Sequence, residues 1–353
     1  MPRVLVACAF CFVLAVNAAS EPNWGTWTEE VRKQHPLAGS IYRTYRTARS
    51  RPSMVLDGRV QTDVLPLGEL YRPIPPSGPG LSIPAIPPVI VLLGEVHDNP
   101  AHHQVRAWMV KNSPRTFRPW RPAVVFEQIR VDQQPALDQF KALADAGGGP
   151  TVDDLFRLLE WDKSGWPPAQ TYKPLFEAAI AAKLAIIAGD PPRDRVRAVA
   201  RNGFSVVPPE ERTRLGLDSP MPPALVDTLR KDLADSHCGV LSAEAVDGMV
   251  TAQRYRDAHL ADALLAAAAQ HGSAVLIAGN GHVRADRGVP WHLRRRGTTT
   301  VASYLLVEVE EGKTDPEAYM PRDPEGKPAA DLLIFTPKHP RPDPCDQFRR
   351  SKR

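Results

Sequence analysis

The stretch VIVLLGEVHDNP, residues 89–100, combines a buried-strand pattern, a run of ionisable side chains and a helix start. Its first five residues, 89–93, are all β-branched or leucine, which is typical of a strand covered on both faces of a parallel sheet. Asn99 followed by Pro100 favours a helix start, because asparagine caps helices and proline fits the first helical position. The stretch therefore predicts a strand, a loop bearing carboxylates and imidazoles, and a helix.

Three further apolar runs follow along the chain, at residues 123–126, 184–188 and 274–278, and helical patterns separate them. Short buried strands that alternate with helices indicate an α/β fold with a mainly parallel sheet flanked by helices. The proline-rich region at about 195–240 has helical patterns and no strand pattern. It is predicted to form a smaller helical cap over one end of the sheet.

The composition excludes several other classes of protein. The chain has 353 residues, 43% of them hydrophobic and 24% charged, which is enough for one large core or two smaller ones. Its 37 prolines exclude a coiled coil or a helical repeat. A net charge of +4, with no basic stripe before the tail, does not indicate a nucleic-acid partner. An aromatic content of 7%, without a strand-and-turn rhythm, disfavours an all-β sandwich.

Residues 1–18 have the pattern of a secretory signal peptide. Arg3 precedes an apolar run at 4–16, which is shorter than the roughly 20 residues that span a bilayer. Small residues then form a cleavage site before Ala19. The segment ending at Cys8 resembles a lipidation motif, but apolar residues continue past it, so we expect cleavage rather than anchoring at Cys8. The mature protein is predicted to be exported, periplasmic or secreted, without a transmembrane span.

The sequence predicts four segments along the chain. They are a signal peptide at 1–18, a lead and connector at 19–84, an α/β domain at 85–311, and a C-terminal segment at 312–353. The last contains an edge-strand pattern at 332–335 and then a basic, proline-rich tail that is expected to be disordered from residue 338.

Two cysteines, Cys238 and Cys345, remain after the predicted cleavage. In an oxidising compartment they could form one disulfide; alternatively, Cys238 is buried and Cys345 lies free in the tail. The sequence leaves this choice open. The chain has no C-x-x-C pair, which excludes a covalently attached c-type haem and a cysteine zinc site.

Polar and ionisable residues follow each predicted core strand. In chain order these residues are Glu95 and His97, then Glu127, then Asp190, then His282. Ligands of open parallel sheets bind outside the carboxyl ends of the strands. Glu95 and His97 are two positions apart and therefore point to the same side of an extended chain. We predict that the glutamates and histidines of this set converge within about 10 Å at one edge of the sheet.

The helices beside this edge supply further candidates. Gln253 and Asp257 lie on the apolar stripe of a long predicted helix at 242–271. Because a buried carboxylate or amide without a partner is costly, the two side chains either face a polar site, which we favour, or find partners in the core. His102 and His103 fall in the first turn of the helix that follows Asn99. We expect an ordinary hydrogen-bonded role for His102 and leave His103 open between that role and the site.

Three motifs in this order resemble the ChaN-like family of cofacial haem-binding proteins, whose superfamily also contains TIKI-type metalloproteases and erythromycin esterases. The resemblance covers about residues 85–293. The motifs are LGEVHDN at 93–99 with His103 and Gln104, HCG at 237–239 and AQR at 252–254 with Arg256 and Asp257, and GNGHV at 279–283 with GVP at 288–290.

The resemblance implies an exported haem-binding protein that takes part in iron or haem uptake. One arrangement that it implies is two haems held face to face between the two subunits of a homodimer. It also implies a tyrosine ligand for the haem iron. Tyr172 is the first candidate, and a packing tyrosine is the alternative. The predicted haem or ligand site contains Tyr172, His97, His103, Gln253, Arg254, Asp257 and His282.

Two other functions remain open from the sequence. In the first, a metal-dependent hydrolase, a zinc or manganese ion at the strand ends would activate water and a free carboxylate would act as the base. Its ligands would come from Glu95, His97, Glu127 and His282. In the second, the chain is a binding lobe whose motifs only cap strands. Haem binding instead needs an apolar slot, an axial ligand and basic groups for the propionates.

Overall fold

The computed structural model describes residues 24–43, 64–66, 89–117, 119–298, 300–343 and 345–346. In these ranges the strands are β1 (Ser40–Arg43), β2 (Val64–Pro66), β3 (Val89–Leu93), β4 (Ala123–Arg130), β5 (Ile186–Asp190), β6 (Ser273–Ile277), β7 (Val301–Glu308) and β8 (Leu332–Thr336). The helices are α1 (Trp24–Arg32), α2 (Pro100–Thr116), α3 (Gln134–Asp145), α4 (Val152–Leu158), α5 (Ala169–Ala181), α6 (Arg193–Asn202), α7 (Pro209–Leu215), α8 (Pro223–Ser236), α9 (Ala243–His271), α10 (Asn280–Val283) and α11 (Val289–Arg295).

All eight described strands belong to one sheet, in the order β2-β1-β8-β7-β3-β6-β4-β5. The six strands from β8 to β5 are parallel to their neighbours, whereas β1 pairs antiparallel with both β2 and β8. The predicted mainly parallel α/β sheet is therefore confirmed. No helix in these ranges is both long enough and apolar enough to cross a membrane.

The sheet is covered on both faces, which explains the continuous apolar runs in its strands. On one face α2 and α5 pack over the central strands, and the rings of Phe126 and Phe176 stack with their centroids 4.4 Å apart. On the other face Leu260 and Leu264 of α9 pack against Val125 and other strand residues. Every residue of β4 except its last is buried. The fold thus has two apolar layers that hold the carboxyl ends of the strands in place.

Two neighbouring strands, β4 and β5, end later in the chain than the sequence predicts. The pairing of β4 with β5 continues to Arg130 and Asp190, with an irregularity after Phe126. Glu127 and Gln128 therefore lie inside β4, and Asp190 ends β5. The apolar pattern ends early because these polar side chains have partners at the edge of the sheet and need no apolar cover. The continued pairing of β4 with β5 places Glu127 and Gln128 close to Asp190.

The N-terminal lead contributes α1 and the strands β1 and β2, which the sequence does not predict. The prediction that residues 332–335 form an edge strand is therefore wrong, because β1 pairs with the outer side of β8. The sequence also has a short strand pattern at 54–56. This segment, the predicted signal peptide at 1–18 and Cys8 lie outside the described residues. Between β5 and α9 the chain forms α6, α7 and α8 without a strand. These three helices are the predicted helical cap.

A disulfide joins Cys238, just after α8, to Cys345 in the C-terminal tail, with the two Cα atoms 5.7 Å apart. The guanidinium of Arg341 donates to Glu308 at 2.7 Å and to Asp98 at 2.8 Å. The expectation of a disordered tail is therefore wrong for residues 338–343. An ion-paired arginine and a covalent bond hold this segment against the domain, although its composition is polar and rich in proline.

Candidate functional site

The carboxyl ends of β3, β4 and β6 bring together Glu95, His97, Glu127 and His282. Nδ1 of His97 lies 2.5 Å from an oxygen of Glu95, and Nε2 of His282 lies 3.1 Å from an oxygen of Glu127. The two pairs meet at Gly279, where a Cβ atom would lie 2.9 Å from Nε2 of His97 and 3.7 Å from Glu127. Glycine is needed there because any side chain would displace the imidazole. The strand order thus brings distant parts of the chain into one site.

The site has two halves, one around Glu95 and one around His282. Glu95 is fully buried, and the group of side chains around it is called the inner half. One of its oxygens accepts hydrogen bonds from the hydroxyl of Tyr172 at 2.7 Å and from the amide of Gln128 at 3.0 Å. The other oxygen is ion-paired with Arg106, whose side chain is also completely buried. A buried carboxylate with this set of donors holds the side chains around it in fixed orientations.

The two histidines of α2 have different surroundings. Burial lowers the pKa of His103 to about 4, so its ring is neutral; Nε2 donates to the carbonyl of His97 at 2.8 Å, and Nδ1 accepts from Arg106 at 2.8 Å. His103 is therefore part of the inner half of the site. His102 accepts a hydrogen bond from the amide of Val96 at 2.9 Å and has the ordinary hydrogen-bonded role that the sequence predicts.

His282 is the centre of the second half. Its Nδ1 donates to Asp257 at 2.6 Å, and the amide nitrogen of Gln253 lies 3.0 Å from the same ring atom. Burial alone would lower the pKa of His282, but the charges of Glu127 and Asp257 outweigh it and raise the pKa to about 10. His282 is therefore an imidazolium ion at neutral pH. Gln253 and Asp257 face this polar site, as expected from their positions on α9.

Arg256 and Asp190 complete this half, and neither was among the predicted site residues. Arg256 donates to Glu127 at 2.9 Å and to Asp190 at 2.7 Å. Together with His282 it holds the pKa of the Glu127 carboxyl well below its usual range, against the opposing effect of burial. The signal in the sequence was the position of Arg256, which is three residues after Gln253 and so lies on the same face of α9.

The structure does not bring Arg254 into this site. Its guanidinium donates to the carbonyl of Ser219 at 3.2 Å and lies over the ring of Phe204 at 5.1 Å. The neighbouring Tyr255 donates to Glu211 at 2.8 Å. Each residue of a helix is rotated by about 100° from the one before, so adjacent residues of α9 cannot all face one edge. The motif therefore contains side chains with unrelated surroundings.

Tyr172 lies in the interior and has no exposed surface. Its ring packs at 4.1 Å from the ring of His103, and its hydroxyl donates to Glu95. Burial raises the pKa of this hydroxyl, so the side chain stays a neutral phenol. In this arrangement the Tyr172 oxygen is used inside the domain, which corresponds to the packing role that the sequence left as the alternative.

A cavity of about 350 Å³ opens beside Arg256 and Asp190, and His97 contacts Trp166 in its wall. Its size is within the range of small-molecule sites, about 300–1,000 Å³. The His97 side chain is 39% exposed, and its ring meets the edge of Trp166 at a centroid distance of 4.9 Å. The cavity is lined by Arg130, Ser164, Gly165, Trp166, Asp190, Arg193, Val196, Arg197 and Arg256.

The four residues of the predicted metal set are close together but are not arranged as ligands. In the ranges that the structure describes, no group of three or more His, Cys, Asp and Glu side chains could hold a metal ion. Glu95 is paired with Arg106, and Glu127 with Arg256 and His282. Cations of the protein itself thus occupy the positions next to these carboxylates.

Replacing Asp257 by asparagine is expected to lower the free energy of unfolding by about 1–3 kcal/mol at pH 6, because a buried charged partner of His282 is lost. The folded pKa of His282, about 10, exceeds its ordinary 6.5, so this stabilisation is complete below pH 6.5 and disappears as the pH rises towards 10. Urea denaturation of both proteins at pH 6 and pH 10 measures the difference.

The control for this prediction is Asp262→Asn on the same helix, since Asp262 forms half-exposed ion pairs with Arg214 and Arg296. It should lower the unfolding free energy by less than about 1 kcal/mol. Equal losses in the two variants, or a loss at Asp257 that does not shrink at high pH, would contradict the assigned role of Asp257.

Comparison with known proteins gives one family and two similar structures. The family model described as haem-binding uptake, Tiki superfamily, ChaN matches residues 88–293. A structure of cofacial haem binding to ChaN of Campylobacter jejuni is 16% identical, with 69% of this chain and 86% of that chain covered and a TM-score of 0.49. An erythromycin esterase mutant in its open conformation is 16% identical, with 75% and 80% covered and a TM-score of 0.35. No curated protein matches the chain.

Proposed function

This chain belongs to the ChaN family of haem-binding uptake proteins in the Tiki superfamily, and from that premise we propose that it is an exported protein that binds haem for iron or haem uptake. The haem-binding unit is the domain at 85–311. Export is supported by the signal-peptide pattern at 1–18 and by the Cys238–Cys345 disulfide, since such bonds persist in oxidising compartments.

The observation that carries this proposal is the partly exposed imidazole of His97, which contacts Trp166 in the wall of an arginine-lined cavity. Bound haem would supply an iron centre that takes a ligand from the protein and two propionates that need cationic partners. His97 and the guanidinium groups of the cavity fit these two needs. Tyr172 does not fit the part of ligand in this arrangement, because its hydroxyl is buried and donates to Glu95.

The surroundings of His97 prepare it for this role. Burial lowers its pKa, which keeps the ring neutral, and Nδ1 donates to Glu95 at 2.5 Å. The proton is thus held on Nδ1 and the lone pair is on Nε2, which lies next to Gly279. Among the described residues Nε2 has no hydrogen-bond partner. A histidine whose second nitrogen is fixed by a carboxylate is a common arrangement for a metal-ligating imidazole.

The family resemblance also supports a homodimer in which the haem is shared between subunits. Haem buried between two subunits removes apolar surface of both from water, at about 25 cal/mol per Å². Because the ligand then binds the dimer more tightly than the monomer, haem must shift the association equilibrium towards the dimer.

Titration of the purified protein with ferric haem is expected to give a saturable change in the haem absorption spectrum at micromolar concentration. We expect His97→Ala to weaken binding at least tenfold, about 1.4 kcal/mol, and Tyr172→Phe to change it less than threefold. His271→Ala, at the end of α9, is the control for the loss of an imidazole. Light scattering at each haem concentration measures the mass.

No saturable spectral change would end the haem proposal. Binding with an unchanged mass would keep haem as the ligand and exclude the shared dimer. A stronger effect of Tyr172→Phe than of His97→Ala would restore the tyrosine as the iron ligand and would mean that the inner half of the site rearranges on binding.

A second candidate function is hydrolysis at the same edge of the sheet. It is supported by two imidazoles at this edge: His97, whose Nδ1 is held by Glu95, and His282, held between Asp257 and Glu127. Turnover of p-nitrophenyl acetate by the wild type, lost in His97→Gln and retained with a chelator, would support a hydrolase without a metal. Loss with the chelator would support the metal-dependent form. Haem binding without turnover would exclude both.

A further inference from the structure

The cavity beside His97 has a surplus of positive charge. Four arginines line it, but they differ in their partners. Arg256 is neutralised by Asp190 and Glu127, and Arg130 donates to Asp132 at 3.0 Å. Arg193 and Arg197 are exposed, and no acidic side chain pairs with either of them in the part of the chain that the structure describes. The surplus charge of the cavity therefore resides on these two guanidinium groups.

Arg193 and Arg197 form one wall of the cavity. They are four positions apart on α6, so both side chains lie on the same face of that helix. A Cβ atom on Gly165 would lie 3.5 Å from a terminal nitrogen of Arg193, which shows how closely this side chain approaches the opposite wall. Trp166 follows in that wall and contacts the His97 ring. The cationic wall thus faces an apolar one, and the space between them leads to the site.

Two like charges four residues apart on a helix repel each other and destabilise it. A concave surface strengthens the repulsion, because less water screens the charges. An anion between the two guanidinium groups removes this repulsion and adds charge-assisted hydrogen bonds. Arginine is well suited to this role, since its planar fork matches the oxygens of a carboxylate or phosphate.

We propose that Arg193 and Arg197 form a subsite for a doubly negative oxyanion group, either two carboxylates or one phosphate, on a ligand that also reaches His97. This inference rests on the proposed function insofar as the two carboxylates are the propionates of haem. A small dicarboxylate or a phosphate presents the same chemistry to the same two side chains. Haem, its dimethyl ester and small anions, used as separate probes, distinguish these sources.

The test compares the wild type with the double variant Arg193→Gln and Arg197→Gln. The probes are ferric haem, its dimethyl ester, in which both propionates are blocked, succinate and inorganic phosphate. Absorbance measures the two haems, and calorimetry measures the two small anions. The control is Arg201→Gln, which removes an exposed charge from the same helix outside the cavity. Circular dichroism and thermal melts confirm that each variant is folded.

If the subsite binds propionates, the double variant should bind haem about tenfold more weakly, and the wild type should lose a similar factor with the dimethyl ester. The double variant should bind haem and its dimethyl ester with the same affinity. Arg201→Gln should bind each probe as tightly as the wild type does. Added salt should reduce the difference in haem affinity between the wild type and the double variant, because Arg193 and Arg197 are exposed to solvent.

Other outcomes separate this inference from the proposed function. Loss of succinate or phosphate binding in the double variant, with no haem binding by the wild type, would support the subsite and reject haem as the ligand. Equal affinity of the wild type and the double variant for haem and for the small anions would overturn the subsite and leave haem binding intact. Absence of binding for all four probes would overturn both.

Discussion

Replacing Arg106 by methionine is expected to lower the free energy of unfolding by about 3–5 kcal/mol, the largest effect of any single substitution proposed for this chain. The side chains of Arg106 and Glu95 are both fully buried and form an ion pair. Removing the guanidinium leaves the carboxylate in the interior without its cation. The remaining donors, Tyr172, Gln128 and His97, are neutral and cannot replace the lost charge. Urea denaturation of the wild type and the variant measures the loss.

A second variant separates this effect from a general loss of packing. The double change Arg106→Met and Glu95→Gln removes both charges, so it should be more stable than Arg106→Met alone. Arg157→Met is the control for loss of an exposed ion pair, because Arg157 is 73% exposed where it meets Asp154. It should lower stability by less than about 1 kcal/mol. A double variant that is less stable than Arg106→Met would show that lost packing, and not the unpaired Glu95 carboxylate, explains the lower free energy of unfolding.

Removing the Cys238–Cys345 disulfide is expected to lower the free energy of unfolding by about 2–5 kcal/mol. The two cysteines are separated by 107 residues, so the bond closes a long loop that would otherwise add entropy to the unfolded chain. It also holds the tail residue Arg341 near Asp98, which follows His97 directly. The double variant Cys238→Ser and Cys345→Ser, compared with the oxidised wild type in urea, tests this.

Reduced wild-type protein is the matched control for this variant. Treatment with dithiothreitol should lower the stability of the wild type to that of the serine variant and leave the variant unchanged. If reduction changes the unfolding free energy of the wild type by less than about 1 kcal/mol, the disulfide does not act through the long loop. A loss in the variant alone would instead point to the serine side chains.

The sequence by itself determined the sheet and the edge where the site lies. Buried apolar runs such as 89–93 and 274–278 carry the strand signal locally, and their alternation with helices requires parallel connections. Because parallel strands end at the same edge, residues as distant as His97 and His282 could be placed together without a structure. The period of α9 likewise placed Gln253 and Asp257 towards that edge.

The tertiary structure alone decided the partner of each charged side chain. Arg256 joins Asp190 and Glu127, which are 66 and 129 positions away in the chain, and no local pattern records such a pairing.

The same holds for Tyr172. The sequence pattern around a helical tyrosine is the same whether its hydroxyl contacts a carboxylate in the core or a ligand at the surface. The packing of α5 on α2 decides that it meets Glu95. Periodicity determines which face of an element a side chain occupies, because that depends on neighbouring residues. The partner of that side chain depends on how separate elements pack, because burial and the distances between side chains are set only when the chain folds.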